Sequence, residues 1–253
     1  MLQQLLTLNL FGFFLVFARI GTAFVLLPGF SAGYVAPRMR LLMALAVSLV
    51  VTPVVAGMLP GLPATPAELS LMLLAEMTIG AFFGLMARFV VAALQVTGTI
   101  ISLVSSMANA FIQDPLADQQ SSVIAGFLST LGVLLLFVTD LHHLMLRAVV
   151  DSYSLFTPGE PLMMGDMTQM VARRVADAFA LGLQLASPLV VTGFAYYLGL
   201  GLLTRLMPQM PVFFVGLPIQ VTIQISVLAL ALSGIMIVFL TRFQEGLTGF
   251  LVP

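Results

Sequence analysis

Residues 10–28 read LFGFFLVFARIGTAFVLLP, an apolar stretch with an arginine, Arg19, near its middle and a proline, Pro28, at its end. A hydrocarbon core of ~30 Å is crossed by about 20 apolar helical residues, and this stretch has that length. A central arginine costs ~2.5–3.5 kcal/mol on insertion, whereas each Leu, Ile, Phe or Val returns ~0.3–0.6. Twelve such residues lie between Leu10 and Leu27, enough to carry the arginine in. A helix of this kind needs protein beside it as well as lipid.

The same pattern recurs along the chain. Runs of comparable length lie at Leu41–Leu59, Leu71–Ala87, Phe89–Ile112, Val123–Val150, Ala178–Leu203 and Val212–Leu240. They are punctured by Pro53, Arg88, Asp140, Pro188 and Arg205. Of the 253 residues 60% are hydrophobic and 8% charged, against roughly 25% charged in an ordinary soluble domain. A β-barrel is excluded, because its strands run to about ten residues and alternate in polarity. The fold class is therefore all-α, an integral membrane protein with broken helices.

Charge and composition exclude several functions. The net charge is −1 and every basic residue is arginine, with no basic tail to engage nucleic acid. There is no cysteine, so disulfides and thiolate chemistry are absent and the redox compartment is not indicated. The N-terminal MLQQLLTLNLFGFF lacks a positive leader and a cleavage signal, and reads as retained.

Five breaks punctuate the runs. Residues 27–40, with two prolines, two glycines and two arginines, form a turn-rich connector. In residues 57–66, Thr65-Pro66-Ala67-Glu68 predicts a capping box with proline at the first helical position. Residues 107–122 are the most polar stretch of the hydrophobic body, and Asp114-Pro115 predicts the end of the preceding helix. Residues 151–177 hold Pro158-Gly-Glu-Pro161 and an amphipathic helix expected to open at Asp166. The last, 205–211, is followed closely by Pro218. Arg38 and Arg40 place the first connector in the cytoplasm on the positive-inside rule, but Arg88, between two runs with no loop, leaves the topology open.

Candidate chemistry is sparse. Arg19 has two readings: it faces a partner subunit or an aqueous conduit, or it snorkels or pairs with a carboxylate such as Glu76. His142 and His143, the only histidines, project about 100° apart on a helix, unlike an i, i+4 ligand pair, and there is no H-E-x-x-H. No metal site, no cofactor site and no catalytic residues are assigned. A G-x-S-x-G elbow and a phosphate-binding loop are both missing. Gly80 and Gly84 form a G-x-x-x-G that permits close helix approach, though 21 glycines make the spacing common.

From Leu181 the chain reads LGLQLASPLVVTGFAYYLGLGLLTRLMPQMPVFFVGLPIQ. Ala186-Ser-Pro188, Leu200–Leu203 running into Arg205, Pro208-Gln209-Met210, Val212-Phe213 and Gly216-Leu-Pro218 resemble the FliR family of flagellar export-gate proteins. The likeness extends to Phe17-Ala-Arg19, Pro28 through Pro37-Arg38, the Gln95…Phe111…Asp114-Pro115 region and Asp151-Ser…Pro158-Gly-Glu-Pro161, and so covers most of the chain.

The resemblance implies a non-catalytic subunit of the flagellar type III export gate, in the bacterial inner membrane at the flagellar basal body. FliP and FliQ would be its partners in a hetero-oligomer, with FlhB adjacent, and unfolded flagellar proteins its substrates. It implies inclined helical hairpins, with residues 1–177 a FliP-like part and 178–253 a FliQ-like hairpin fused to it. A mid-chain loop plugs the closed channel in the family. It corresponds here to Ser105–Gln120, with Met107, Asn109, Phe111, Ile112 and Gln113 as plug candidates. Arg19, Pro28, Pro37, Arg205, Pro208, Gln209 and Pro218 are the assembly candidates. Two alternatives stay open: the related injectisome subunit, and a secondary transporter built on broken helices and buried charges.

Overall fold

The computed structural model describes residues 2–107, 111–114, 119–207, 209 and 212–250. Seven helices account for most of them: α1 (Leu2–Leu26), α2 (Pro37–Val55), α3 (Pro66–Val104), α4 (Val123–Val138), α5 (Leu141–Leu155), α6 (Met164–Leu206) and α7 (Val212–Thr248). A 3₁₀ turn, Ala56–Met58, extends α2. The one sheet among the described residues is a ribbon of two short antiparallel strands, β1 (Phe111–Asp114) and β2 (Gln119–Ser122), in which Phe111 faces Ser122 and Asp114 faces Gln119. Apart from that ribbon the described residues are all-α.

Among the described residues four helical stretches have the length and apolar character to cross a membrane: Pro37–Met58, Pro66–Val104, Met164–Leu206 and Gly216–Thr248. The pair α4 and α5, bent by 76° at their junction, makes a fifth if counted as one broken span. At 1.5 Å per residue, the 39 residues of α3 extend about 58 Å. That is well beyond a ~30 Å hydrocarbon core, so such a helix must incline or project.

The starts and stops follow local chemistry. Glu68 and Thr65 form the expected capping box: the Glu68 amide donates to Thr65 Oγ1 at 3.2 Å, and Glu68 Oε2 accepts from the amides of Ala64 and Thr65. Pro37 opens α2 at its first position. Asp140, left-handed at φ 59°, turns the chain between α4 and α5. Gly29 has φ 83°, and a Cβ there would stand 2.2 Å from Phe137, so both backbone and space demand glycine. Arg40 fastens the same connector by donating to the carbonyls of Phe30 and Ala32.

Several sequence expectations are corrected. Leu71–Ala87 and Phe89–Ile112 are not separate spans: Arg88 sits exposed on one continuous α3, because an arginine at the surface breaks no backbone hydrogen bond. That helix also stops at Val104, ten residues before Asp114, where the chain turns into the ribbon. Val123–Val150 is broken at Asp140, and the segment expected to open at Asp166 starts at Met164 and continues without interruption to Leu206. Pro188 does not end α6. Its missing N–H frees the carbonyl of Gln184, and the adjacent Ser187 hydroxyl donates to that carbonyl at 2.7 Å.

The chain folds as two compact units that interleave along the sequence. One comprises residues 1–89, 136–174 and 243–253. Its core joins Leu15, Ile20 and Phe24 of α1 to Ile79 and Phe83 of α3 and Tyr153 of α5. The other comprises residues 90–135 and 175–242, with Leu94, Leu128, Leu189 and Phe239 at its centre.

Candidate functional site

In the first unit a polar centre is closed around Arg19, which is fully buried. Its Nε donates to Glu76 Oε2 at 2.6 Å and its Nη2 to Glu76 Oε1 at 3.0 Å, the bidentate fork that suits guanidinium and carboxylate. Nη2 also donates to the Phe156 carbonyl at 2.9 Å, and Nη1 to Ser152 Oγ at 3.0 Å. The guanidinium carbon lies 3.9 Å from the centroid of the Tyr153 ring, a cation–π contact. A buried charge this well surrounded is an internal tie: α1 is held to α3 through Glu76, and to the end of α5 through Ser152 and Phe156. Of the two readings of Arg19, the structure has the pair with Glu76.

Glycine makes the tie possible. One turn beyond Glu76, a Cβ on Gly80 would lie 2.1 Å from the Arg19 carbonyl oxygen, and on Gly84 it would lie 2.6 Å from Leu26 Cβ. The G-x-x-x-G spacing that carried little weight in the sequence is therefore where α1 and α3 meet backbone to backbone.

The second unit holds a neutral polar centre at the C-terminal end of α3. The Met107 amide bonds to the Ser102 carbonyl at 3.1 Å across Ser106, whose φ is 59°. This is a Schellman turn with serine where glycine is usual. A non-glycine residue in this conformation costs ~1–2 kcal/mol. The Ser106 hydroxyl donates to Gln220 Oε1 at 3.2 Å and lies 2.8 Å from Tyr197 OH. Gln220, fully buried on α7, donates from Nε2 to the Val104 carbonyl at 2.8 Å. That carbonyl is one of the last four of α3, which have no partner within the helix.

The chain that leaves here returns beside the same helix. Ser122, buried at the start of α4, accepts from the Ala125 amide at 3.0 Å and donates to the Gly98 carbonyl at 3.3 Å. A Cβ on Gly98 would lie 2.3 Å from Ala125 Cα. On α6, Gly193 leaves room for the end of α3, since its Cβ would stand 2.0 Å from Val104 Cγ1 and 2.8 Å from Gln224 Nε2. Both legs of residues 107–122 are thus fixed by polar contacts to the last two turns of α3.

Of the plug candidates, Met107 is half-buried at the exit from α3. Asn109 lies outside the described residues, and Phe111, Ile112 and Gln113 form the backbone of β1. Of the assembly candidates, Pro28 is buried in the first connector and Pro37 is exposed at the head of α2. Arg205 is exposed in the last turn of α6, where it complements the helix dipole. Pro208 lies outside the described residues; Gln209 is exposed in a turn, and Pro218 is exposed within α7. Ser106, Tyr197, Gln220 and Ser152 were missed in the sequence, although Gln220 and Gln224, four apart on an apolar helix, were a readable signal.

Asp140, His142 and His143 place one ligand atom each within 4.8 Å of one another. The sequence reading had the two imidazoles diverging on a helix, but they stand in the first turn of α5 beside a left-handed residue. Their ring centroids are 4.0 Å apart, and His142 stacks on Phe137. Asp140 and His143 are exposed, 3.5 Å apart.

The sequence profile of the bacterial export proteins, family 1, matches residues 10–246. The flagellar biosynthetic protein FliR of Caulobacter vibrioides is 36% identical over 231 residues, covering 91% of this chain and 92% of that protein. FliR of Bacillus subtilis is 29% identical over 237 residues, covering 92% and 90%. FliR of Aquifex aeolicus is 27% identical over 232 residues, covering 91% and 89%.

Proposed function

The chain belongs to the FliR family of bacterial export proteins, a membrane component of the flagellar export apparatus, and from that premise we propose that it is a non-catalytic subunit of the type III export gate. It assembles with FliP and FliQ in the bacterial inner membrane, next to FlhB, at the base of the flagellum. The segment 107–120 closes the passage for unfolded flagellar proteins when none is in transit. Residues 1–177 form its FliP-like part and 178–253 its FliQ-like hairpin.

One observation supports the plug reading above the rest. A polar stretch interrupts an otherwise apolar body, and both its ends are fastened to α3, the first by the Met107 amide on the Ser102 carbonyl and the second by the buried Ser122 hydroxyl on the Gly98 carbonyl. Non-helical backbone at membrane depth is tolerated where protein surrounds it or where it lines a water-filled space. A surface loop in the headgroup region would need no such fixing.

Deleting Met107–Gln113 tests it. The assembled gate should then pass ions in the absence of substrate while its subunits still co-purify; an ion leak no greater than that of the intact gate sinks the plug reading. Arg205→Ala removes an exposed charge beside the Pro208-Gln209-Met210 connector and should lower the recovery of FliP and FliQ with this chain. Unchanged recovery would leave Arg205 as a helix-terminal charge only. A purified monomer that binds a small solute would point to transport and overturn the gate.

A further inference from the structure

We propose that Gln220, with Ser106 and Tyr197, is the positioning device for the channel-closing segment: together they fix the direction in which the chain leaves α3 at Met107. The inference rests on the plug reading for its function, and on geometry alone for its mechanism.

Two residues here depart from the choice that packing or backbone alone would favour, and a third converges on them. A fully buried position on apolar α7 would take leucine if filling space were all that mattered; it carries Gln220. A left-handed C-terminal turn would take glycine; it carries Ser106. Tyr197, on α6, brings a hydroxyl to within 2.8 Å of that serine.

Their hydrogen bonds run in one direction. The Val104 carbonyl can only accept, so the amide nitrogen of Gln220 must face it, which turns Oε1 toward Ser106. Ser106 donates to that oxygen, and Tyr197 OH donates to Ser106 Oγ. Helices α6 and α7 thereby hold the last carbonyl of α3 and the residue that turns the chain away from it. Rotation about the Ser106 backbone, which would swing everything beyond Met107, breaks two of these bonds at once.

All the groups are neutral, and Tyr197 is 43% exposed. Water can replace the outer bond, between Tyr197 and Ser106, while the inner bond to Val104 stays dry. A rigid but uncharged anchor suits a segment that must return to one place after each substrate has passed.

The test uses the complete gate complex, with ion leak in the absence of substrate and hydrogen exchange at the Met107 amide as readouts. Gln220→Met keeps volume and removes the amide. Ser106→Gly keeps the turn and removes the hydroxyl, so it tests the device without endangering the fold. Ser106→Asn, which tolerates the left-handed conformation and can both donate and accept, is the conservative rescue. We expect both disruptive variants to raise the leak several-fold towards that of the Met107–Gln113 deletion, with normal subunit recovery. Exchange at Met107 should quicken at least tenfold, and Ser106→Asn should restore both readouts. If the deletion leaks and neither disruptive variant does, the positioning role is wrong and the plug stands. If the deletion itself is tight, the plug reading fails, and exchange decides the rest: unchanged protection of Met107 in Gln220→Met overturns the inference, whereas faster exchange retains the positioning of the chain without a seal.

Discussion

Arg19 and Gln220 are both fully buried polar residues on apolar helices, one in each compact unit, and their surroundings differ in kind. Arg19 carries a charge and is enclosed by a carboxylate, a hydroxyl, a carbonyl and an aromatic face. Gln220 is neutral and reaches one backbone carbonyl and one serine that is partly open to solvent. Breaking the first would strand a charge without water, so the helices it joins stay joined. Parting the second leaves only dipoles to be rehydrated, which is compatible with repeated movement. The comparison separates a charged centre that is permanent from a neutral one whose parting costs little.

The largest expected effect tests the permanent side. Glu76→Leu leaves Arg19 buried without its counter-ion and should destabilise the protein by about 3–5 kcal/mol, read as a lower unfolding midpoint in detergent and loss of recovered protein. Arg19→Met combined with Glu76→Leu should lose less than Glu76→Leu alone, because replacing both partners of a buried pair by apolar groups removes the stranded charge. If the double variant is the worse of the two, the pair contributes more than mutual compensation and the contrast with Gln220 is too weak as drawn.

Gly80→Ala probes the same centre through packing. The added Cβ would meet the Arg19 carbonyl, a backbone atom that cannot rotate away, so α1 and α3 must part. Overpacking of this kind costs about 1–3 kcal/mol. The same measurement on Glu76→Leu/Gly80→Ala sharpens the point: with the ion pair already lost, the methyl group should cost less than it does in the intact protein. Strictly additive losses would show that close approach and ion pair are independent.

These centres also show what could be read from the chain. The membrane class was legible because twenty-residue apolar runs have few soluble explanations, and the capping box at Thr65 and Glu68 because it is local. The Arg19–Glu76 pair was legible as one of two options, since a buried charge needs a partner and acidic residues are few. Helix boundaries without such a local cap were not. Arg88 and Asp140 are equally charged interruptions of apolar runs, yet Arg88 rides on the surface of a continuous helix while Asp140 adopts a left-handed turn and breaks one. That choice is made by packing, which a single sequence does not display. Ser106 was illegible for the same reason: nothing near it in sequence announces that Tyr197 and Gln220, about a hundred residues later, will hold it.

The smallest effect is the most discriminating. Ser106→Gly gives up two hydrogen bonds at a partly exposed site, each contributing ~0.5–1.5 kcal/mol, and gains relief from the ~1–2 kcal/mol that a side chain costs in a left-handed conformation. Glycine also loosens the unfolded chain, which takes back ~0.4–1 kcal/mol. The terms partly cancel, and at their central values they leave a loss of only about 1 kcal/mol equivalent in the unfolding midpoint. A stability that scarcely changes, set beside a leak that does, would mean that serine is kept at this turn for where it points the chain. A large loss of stability would instead place Ser106 with Arg19, among the residues that hold the subunit together, and the distinction between the charged and the neutral centre would collapse.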